Sequence, residues 1–210
     1  MVRYWCSIDI IMTDTPKRKS KKDALFNAAM GIIGERGYGG ASVDEIAARA
    51  GVAKGVVYYY FDSKAALAEQ LIKTGLDALA VRLDRAISID MTAGEAITAL
   101  AHEQMRQIEK RRDFAKFLLS EMWREDREWR QTLDTCVENI VVIFEREIKR
   151  GIDSGEFAPL DDASVSFIAQ TIWATFLSGA LNWTVIHPED NPAETADRLA
   201  QYALAGLRIK

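Results

Sequence analysis

Residues 42–64 read SVDEIAARAGVAKGVVYYYFDSK, and their punctuation decides the architecture. Ser42-Val43-Asp44-Glu45 has the form of a capping box, in which an N-cap hydroxyl and a glutamate three residues on satisfy backbone donors reciprocally. Val43, Ile46, Ala47 and Ala50 then share one face of a short helix, which Gly51 stops. Lys54 to Tyr60 forms a second short helix. At about 100° per residue, Val57 and Phe61 fall on one face and pack inward with Val52. Gly55 and Tyr59 fall on the opposite face, and Tyr58 and Tyr60 occupy its shoulders. Asp62 or Ser63 caps a long helix beyond. Two short helices joined at a glycine and followed by a long one make a helix-turn-helix candidate.

The outward face of the second short helix is rich in groups that suit DNA. A tyrosine ring presses on a thymine methyl, and its hydroxyl bonds a phosphate or a base edge. Gly55 lets backbone approach DNA closely, and Lys54 reaches a guanine edge or a phosphate. Lys64 is a cation in the first turn of a helix, where it opposes the macrodipole. A phosphate bound there reverses that cost. Ser42 offers its hydroxyl in the same way. Each residue alone has an ordinary reading, since aromatic side chains in helices usually pack and surface lysines are usually solvated. Their grouping within about 25 residues, beside a basic tail, favours the DNA reading over the ordinary one.

Working outward, the preceding helix carries Leu25, Ala28, Ala29, Ile32 and Ile33 at helical spacing and ends at Gly37 and Gly39-Gly40. Residues 17–64 hold nine Lys/Arg and five Asp/Glu, a net charge of +4 in a chain whose total is −4. A basic head on an acidic body suits a protein whose head alone meets phosphate. Lys17, Arg18, Lys19, Lys21 and Lys22 are either a DNA-binding arm or a solvated tail.

The stretch 23–71, DALFNAAMGIIGERGYGGASVDEIAARAGVAKGVVYYYFDSKAALAEQL, strongly resembles the N-terminal domain of the TetR family of regulators. The resemblance rests on the Gly-Tyr turn, Ser-Val-x-x-Ile-Ala-x-x-Ala-Gly-Val, and Lys-Gly-x-x-Tyr-x-x-Phe-x-x-Lys. It covers about a quarter of the chain, and the rest agrees with the family in helix count and in the loop IKRGIDSGEFAPLDD. The resemblance implies a homodimer that places one recognition helix per subunit in successive major grooves. It implies phosphate contacts from Ser42, Tyr58, Tyr60 and Lys64, and base contacts from Lys54, Gly55, Tyr58 and Tyr59. Ala53 and Val56 depart from the pattern, standing where the family often has hydroxyl residues.

Beyond Thr92 the periodicity predicts helices over 93–108, 113–122, and from near Arg127 to Gly151, with Gly151 and Gly155 breaking the pattern. Asp161 or Asp162 opens a helix that is apolar on nearly every face, and Asn191-Pro192 opens the last one. A helix apolar all round needs cover on more than one side. One side is therefore read as the subunit's own core and the other as an interface, so that a homodimer forms through the last two helices, about 162–183 and 192–208. The expected fold is all-α, with about nine helices: a three-helix DNA-binding domain over 17–68, a ligand-binding and dimerisation domain over 69–210, and a disordered extension over 1–16. His102, Met105, Phe117, Trp123, Phe144, Trp173 and Phe176 are the candidates to line an effector pocket, the aromatic and methionine side chains favouring an apolar or aromatic small molecule.

Other classes fit less well. No nucleophile elbow, HExxH, phosphate loop or dinucleotide glycine pattern occurs, and His102 and His187 lie in no motif, so an enzyme is not expected. Cys6 and Cys136 have neither metal-like spacing nor a disulfide framework, and no metal or cofactor is expected. The opening VRYWCSIDIIM lacks the basic start and cleavage site of an export signal. The polar, basic stretch after Met12 makes Met12 the expected start of translation. No run reaches the ~18 unbroken apolar residues of a membrane span, and a cytoplasmic protein that binds a double-stranded operator and no membrane is expected. The alternative is a helical dimeric interaction or ligand-binding module without specific DNA binding. It accounts for the helices but not for a tyrosine-rich helix beside five basic residues.

Overall fold

In the computed structural model, residues 20–122 and 128–208 are described; the extension over 1–16, the basic residues 17–19 and Trp123 lie outside them. The described residues form nine α-helices and no strand. They are α1 (Lys21–Gly40), α2 (Val43–Ala50), α3 (Lys54–Tyr60), α4 (Lys64–Ala86), α5 (Ala93–Lys110), α6 (Arg112–Met122), α7 (Arg130–Asp153), α8 (Asp162–Leu181) and α9 (Pro192–Ala205). A π turn, Asn182–Ile186, extends α8. The chain divides into two compact units, one comprising the residues up to Ala78 with Arg111–Cys136, the other Leu79–Lys110 with Val137 onward.

The first unit is built on α1. Ser20 caps it, its hydroxyl accepting from the Asp23 backbone N–H while the Asp23 carboxylate accepts from the Ser20 N–H. Leu25, Ala28, Ala29, Ile32 and Ile33 are all buried, as their spacing predicts. Gly37, at φ 73°, kinks the last turn into a conformation that side-chain-bearing residues rarely adopt. Two exposed ion pairs, Arg36 with Glu45 and Arg49 with Glu35, orient α2 across α1. Arg49 holds the Glu35 carboxyl below its ordinary pKa.

This unit takes in more of the chain than the stretch that carries the helix-turn-helix signals. Helix α6 packs on α1 and α4 at two glycines. A Cβ on Gly34 would lie 2.3 Å from that of Asp113, and a Cβ on Gly75 would lie 2.2 Å from the Phe114 ring. These helical glycines serve close approach, which helical periodicity does not register. Thr132 hydrogen-bonds Glu69, and the Cys136 thiol lies 3.8 Å from Asp77. The first turns of α7 thus fasten to α4.

In the second unit, α5 packs between α9 and α8. Glu156 closes the start of α5 by accepting from the Ala93 and Gly94 N–H groups at 2.9 and 3.0 Å. The expected break at Gly151 is not a break. Helix α7 runs on to Asp153, and Gly151 instead admits the Phe157 ring, whose nearest carbon lies 2.2 Å from where a Cβ would sit. The turn comes at Gly155, at φ 76°. Asp161 caps α8, accepting from the Ser164 N–H. Asn191 caps α9 with Pro192 in its first turn. Helix α8 buries Val165, Ala169, Ile172, Trp173, Phe176 and Leu177 within this chain. It leaves Phe167, Gln170, Thr171, Ala174 and Ser178 exposed as a stripe, with Phe167 69% accessible. On α9, Tyr202 is 82% accessible.

Candidate nucleic-acid interface

The turn between α2 and α3 is set by Gly51, which caps α2 in the left-handed region at φ 67°. Its N–H bonds back to Ala47 and Ala48, and the Val52 N–H reaches the Ala47 carbonyl at 3.0 Å. A side chain at Gly51 would meet no neighbour, so the backbone conformation alone calls for glycine there. Val57 and Phe61 then anchor α3 inward, Phe61 edge-on to Phe26 with ring centres 5.5 Å apart. Val52 is half-buried beside them.

That anchoring turns the tyrosines outward. Tyr58, Tyr59 and Tyr60 are 48%, 81% and 39% accessible, and Tyr59 and Tyr60 stack edge to face with centres 5.1 Å apart. Gly55 is exposed on the same helix, and a Cβ there would meet nothing within 4 Å. Among the described residues nothing requires glycine at that helical position, although glycine weakens a helix by about 0.5–1 kcal/mol relative to alanine. Ala53, the N-cap of α3, makes no side-chain cap bond, the structural consequence of a missing hydroxyl.

The polar candidates are engaged within the unit. The Ser42 hydroxyl accepts from the Glu45 N–H at 3.2 Å and donates to the Glu45 carboxylate at 2.9 Å, which holds Glu45 below its usual pKa. Lys54 pairs with Asp44 at 2.9 Å, and that carboxylate raises the ammonium's pKa. Lys64 donates to the carbonyls of Tyr38 and Ala41, both at 2.9 Å. These carbonyls end α1, so the cation that opposes the dipole of its own helix complements the last turn of another. An ammonium has three donors, of which the two carbonyls take two. Lys22 lies over the Phe26 ring, 5.7 Å from its centre. Asp44 was missed by sequence reasoning. The pair depends on how the Gly51 turn sets α3 across the start of α2, which residue spacing does not report.

The effector candidates separate. Phe117 is buried in the first unit, whereas His102, Met105, Phe144, Trp173 and Phe176 belong to the second. Phe144 and Phe176 are fully buried and pack edge to face, 5.8 Å between centres. Among the described residues, the buried Trp173 indole N–H and the buried Gln104 side-chain oxygen have no hydrogen-bond partner. The His102 Nε2 lies 2.7 Å from an Asp197 carboxylate oxygen, linking α5 to α9. With Met105, Arg106, Pro192 and Ala193 it lines an open cleft of about 370 Å³. Among the described residues, no cluster of His, Cys, Asp or Glu has the arrangement of a metal site.

Residues 22–71 match the family model for bacterial regulatory proteins of the tetR family. The fatty acid metabolism regulator protein of Bacillus subtilis is 23% identical over 194 residues, covering 92% of this chain and 99% of that protein. The negative transcriptional regulator IcaR of the icaADBC biofilm operon of Staphylococcus aureus is 38% identical over 58 residues, 28% of this chain and 31% of that one. Among solved structures, the transcriptional regulator FadR from Bacillus subtilis in complex with stearoyl-CoA superposes with a TM-score of 0.79 at 24% identity. The match covers 87% of this chain and 97% of that one.

Proposed function

Because this chain is a bacterial regulatory protein of the tetR family, we propose that it is a dimeric repressor whose two α3 helices read a two-fold operator and which an apolar small molecule releases. The observation that carries the DNA reading is the face of α3. Val57 and Phe61 are locked inward, and Lys54, Gly55, Tyr58 and Tyr59 stand outward on a helix short enough to lie in a major groove. Ser42, Tyr60 and the spare donor of Lys64 take phosphates and fix the register, and the base-facing group supplies sequence preference. Residues 17–68 form the reading module and 69–210 serve effector binding and dimerisation.

The second copy docks on the stripe of α8 that carries Phe167, Thr171, Ala174 and Ser178, together with the Tyr202 side of α9. Small residues there permit close helix approach, and two large apolar side chains otherwise stand in water. The effector is read as a long-chain acyl compound. The support is the near full-length likeness to a fatty acid metabolism regulator, together with the large apolar side chains buried in the second unit, Met105, Phe144, Trp173 and Phe176. These are cytoplasmic regulators in this reading, with no catalytic role.

The test is a fluorescence-anisotropy titration of duplexes enriched from a random pool, with and without stearoyl-CoA. Sequence-selective binding that stearoyl-CoA weakens supports the whole proposal. Selective binding that stearoyl-CoA leaves unchanged removes the acyl effector and keeps the DNA reading. Failure to prefer any duplex removes both.

A further inference from the structure

We infer that Asp44 and Lys54 act together as the reader of one G·C base pair in each half-site, the ammonium on guanine and the carboxylate on cytosine. The inference rests on the DNA-binding reading above and assigns a base-reading role to a residue of α2. Asp44 is the second residue of α2 and Lys54 the first of α3, and the Gly51 turn brings their side chains together with Nζ 2.9 Å from Oδ2. Both side chains stand largely in solvent, at 52% and 66% accessibility for Lys54 and Asp44. The capping of α2 belongs to Ser42 and Glu45, so Asp44 is not needed for it.

An exposed ion pair of this kind contributes little to folding stability. It also has an electrostatic drawback. A carboxylate at the edge of a surface that meets phosphates repels DNA of every sequence, and it holds the one lysine at the start of the reading helix. Such an arrangement favours binding only where the DNA supplies a partner for each charge.

A G·C pair does so. Its major-groove edge presents the N7 and O6 acceptors of guanine beside the N4 amino donor of cytosine. An ammonium over the two adjacent acceptors and a carboxylate on the neighbouring donor match that row while keeping their mutual contact. An A·T pair presents acceptor, donor, acceptor, which sets the adenine amino group against the ammonium and leaves the carboxylate facing an oxygen. The pair therefore rejects A·T by two unpaired charges rather than by one. Lysine alone at this position accepts a guanine or a phosphate indifferently; Asp44 makes the choice.

The experiment is selection of duplexes from a random pool by the full chain, by Asp44→Ala, by Lys54→Ala and by the double variant, with affinities then measured on the selected duplex and on its A·T-substituted form. The wild type is expected to prefer G·C at one position of each half-site by about tenfold, the scale of one good paired base contact. Asp44→Ala is expected to bring that preference close to unity at the same position that Lys54→Ala relaxes, and the double variant to lose no more. Asp44→Asn, which keeps the side chain's size without its charge, is expected to relax the same position; unchanged melting curves show that the fold is intact. Relaxation at different positions, or an Asp44→Ala protein that keeps the G·C preference while binding all duplexes more tightly, overturns the inference and makes Asp44 a source of repulsion only. A wild type that enriches no sequence overturns the DNA reading itself.

Discussion

The Lys64 ammonium sits 4.2 Å from the centre of the Tyr38 ring and 2.9 Å from the Tyr38 carbonyl oxygen. One residue at the start of α4 therefore holds the end of α1 by charge, hydrogen bonding and ring contact together, and the Tyr38 ring in turn packs edge-on against buried Trp129, 4.7 Å between centres. Lys64→Ala is expected to destabilise the protein by about 1.5–3 kcal/mol, the range for hydrogen bonds to a charged group. If its spare donor holds a phosphate, the same variant binds specific and random DNA more weakly alike, and the salt slope of binding falls by about one unit. Urea unfolding and salt titrations read the two effects separately; loss of stability with an unchanged slope assigns Lys64 to the fold alone.

Gly55 gives the opposite trade. With no neighbour within 4 Å of an added Cβ, Gly55→Ala is expected to stabilise the free protein by up to about 1 kcal/mol. It is also expected to weaken binding to the selected operator, because the methyl group would stand on the face proposed to meet DNA. A variant that is both more stable and equally tight in binding removes Gly55 from the interface.

The uncapped start of α3 offers a stabilising change. Ala53→Ser supplies the missing acceptor for the first turn and is expected to add about 0.5–2 kcal/mol, read as a rise in melting temperature. No rise means that the backbone at this position does not let a hydroxyl reach the first-turn N–H groups.

Burial, with Asp77 nearby, pushes the Cys136 thiol from 9.0 up to about 11. The native state thus favours the protonated thiol. Well below pH 9 both states hold the thiol protonated and the shift has little effect on stability; as pH rises through 9 towards 11 the unfolded chain loses the proton first, so stability falls. At pH 8, labelling of the Cys136 peptide by a thiol reagent is expected to be slow in the native protein and fast in urea. Rapid native labelling contradicts the buried placement.

Legibility in the sequence varied with the range of the interaction. The caps at Ser42, Asp161 and Asn191, the Gly51 turn and the bounds of α3 were all readable, because each depends on residues within one or two helical turns. Gly151 was misread as a stop because its role is set by Phe157, whose ring occupies the space of a side chain. The association of α6 with the first unit was not readable, since it depends on Gly34 and Gly75 meeting residues far along the chain. On the reading face the tyrosines were readable from the burial of Val57 and Phe61, whereas the Asp44–Lys54 pair needed the geometry of the turn. Phe117 and Phe144 share an apolar character that composition reports, but not the unit to which each belongs.

The central claim is that two copies of this chain read DNA through the outward face of α3. Hydroxyl-radical footprinting on a selected duplex, with wild type and Tyr59→Ala side by side, tests it most directly. The account predicts two protected segments related by a dyad, their centres one helical turn of about 34–36 Å apart or a simple multiple of it. It also predicts that Tyr59→Ala loses the preference for that duplex over random DNA. A single unpaired protected segment, or a Tyr59→Ala protein that keeps the wild-type preference, contradicts it.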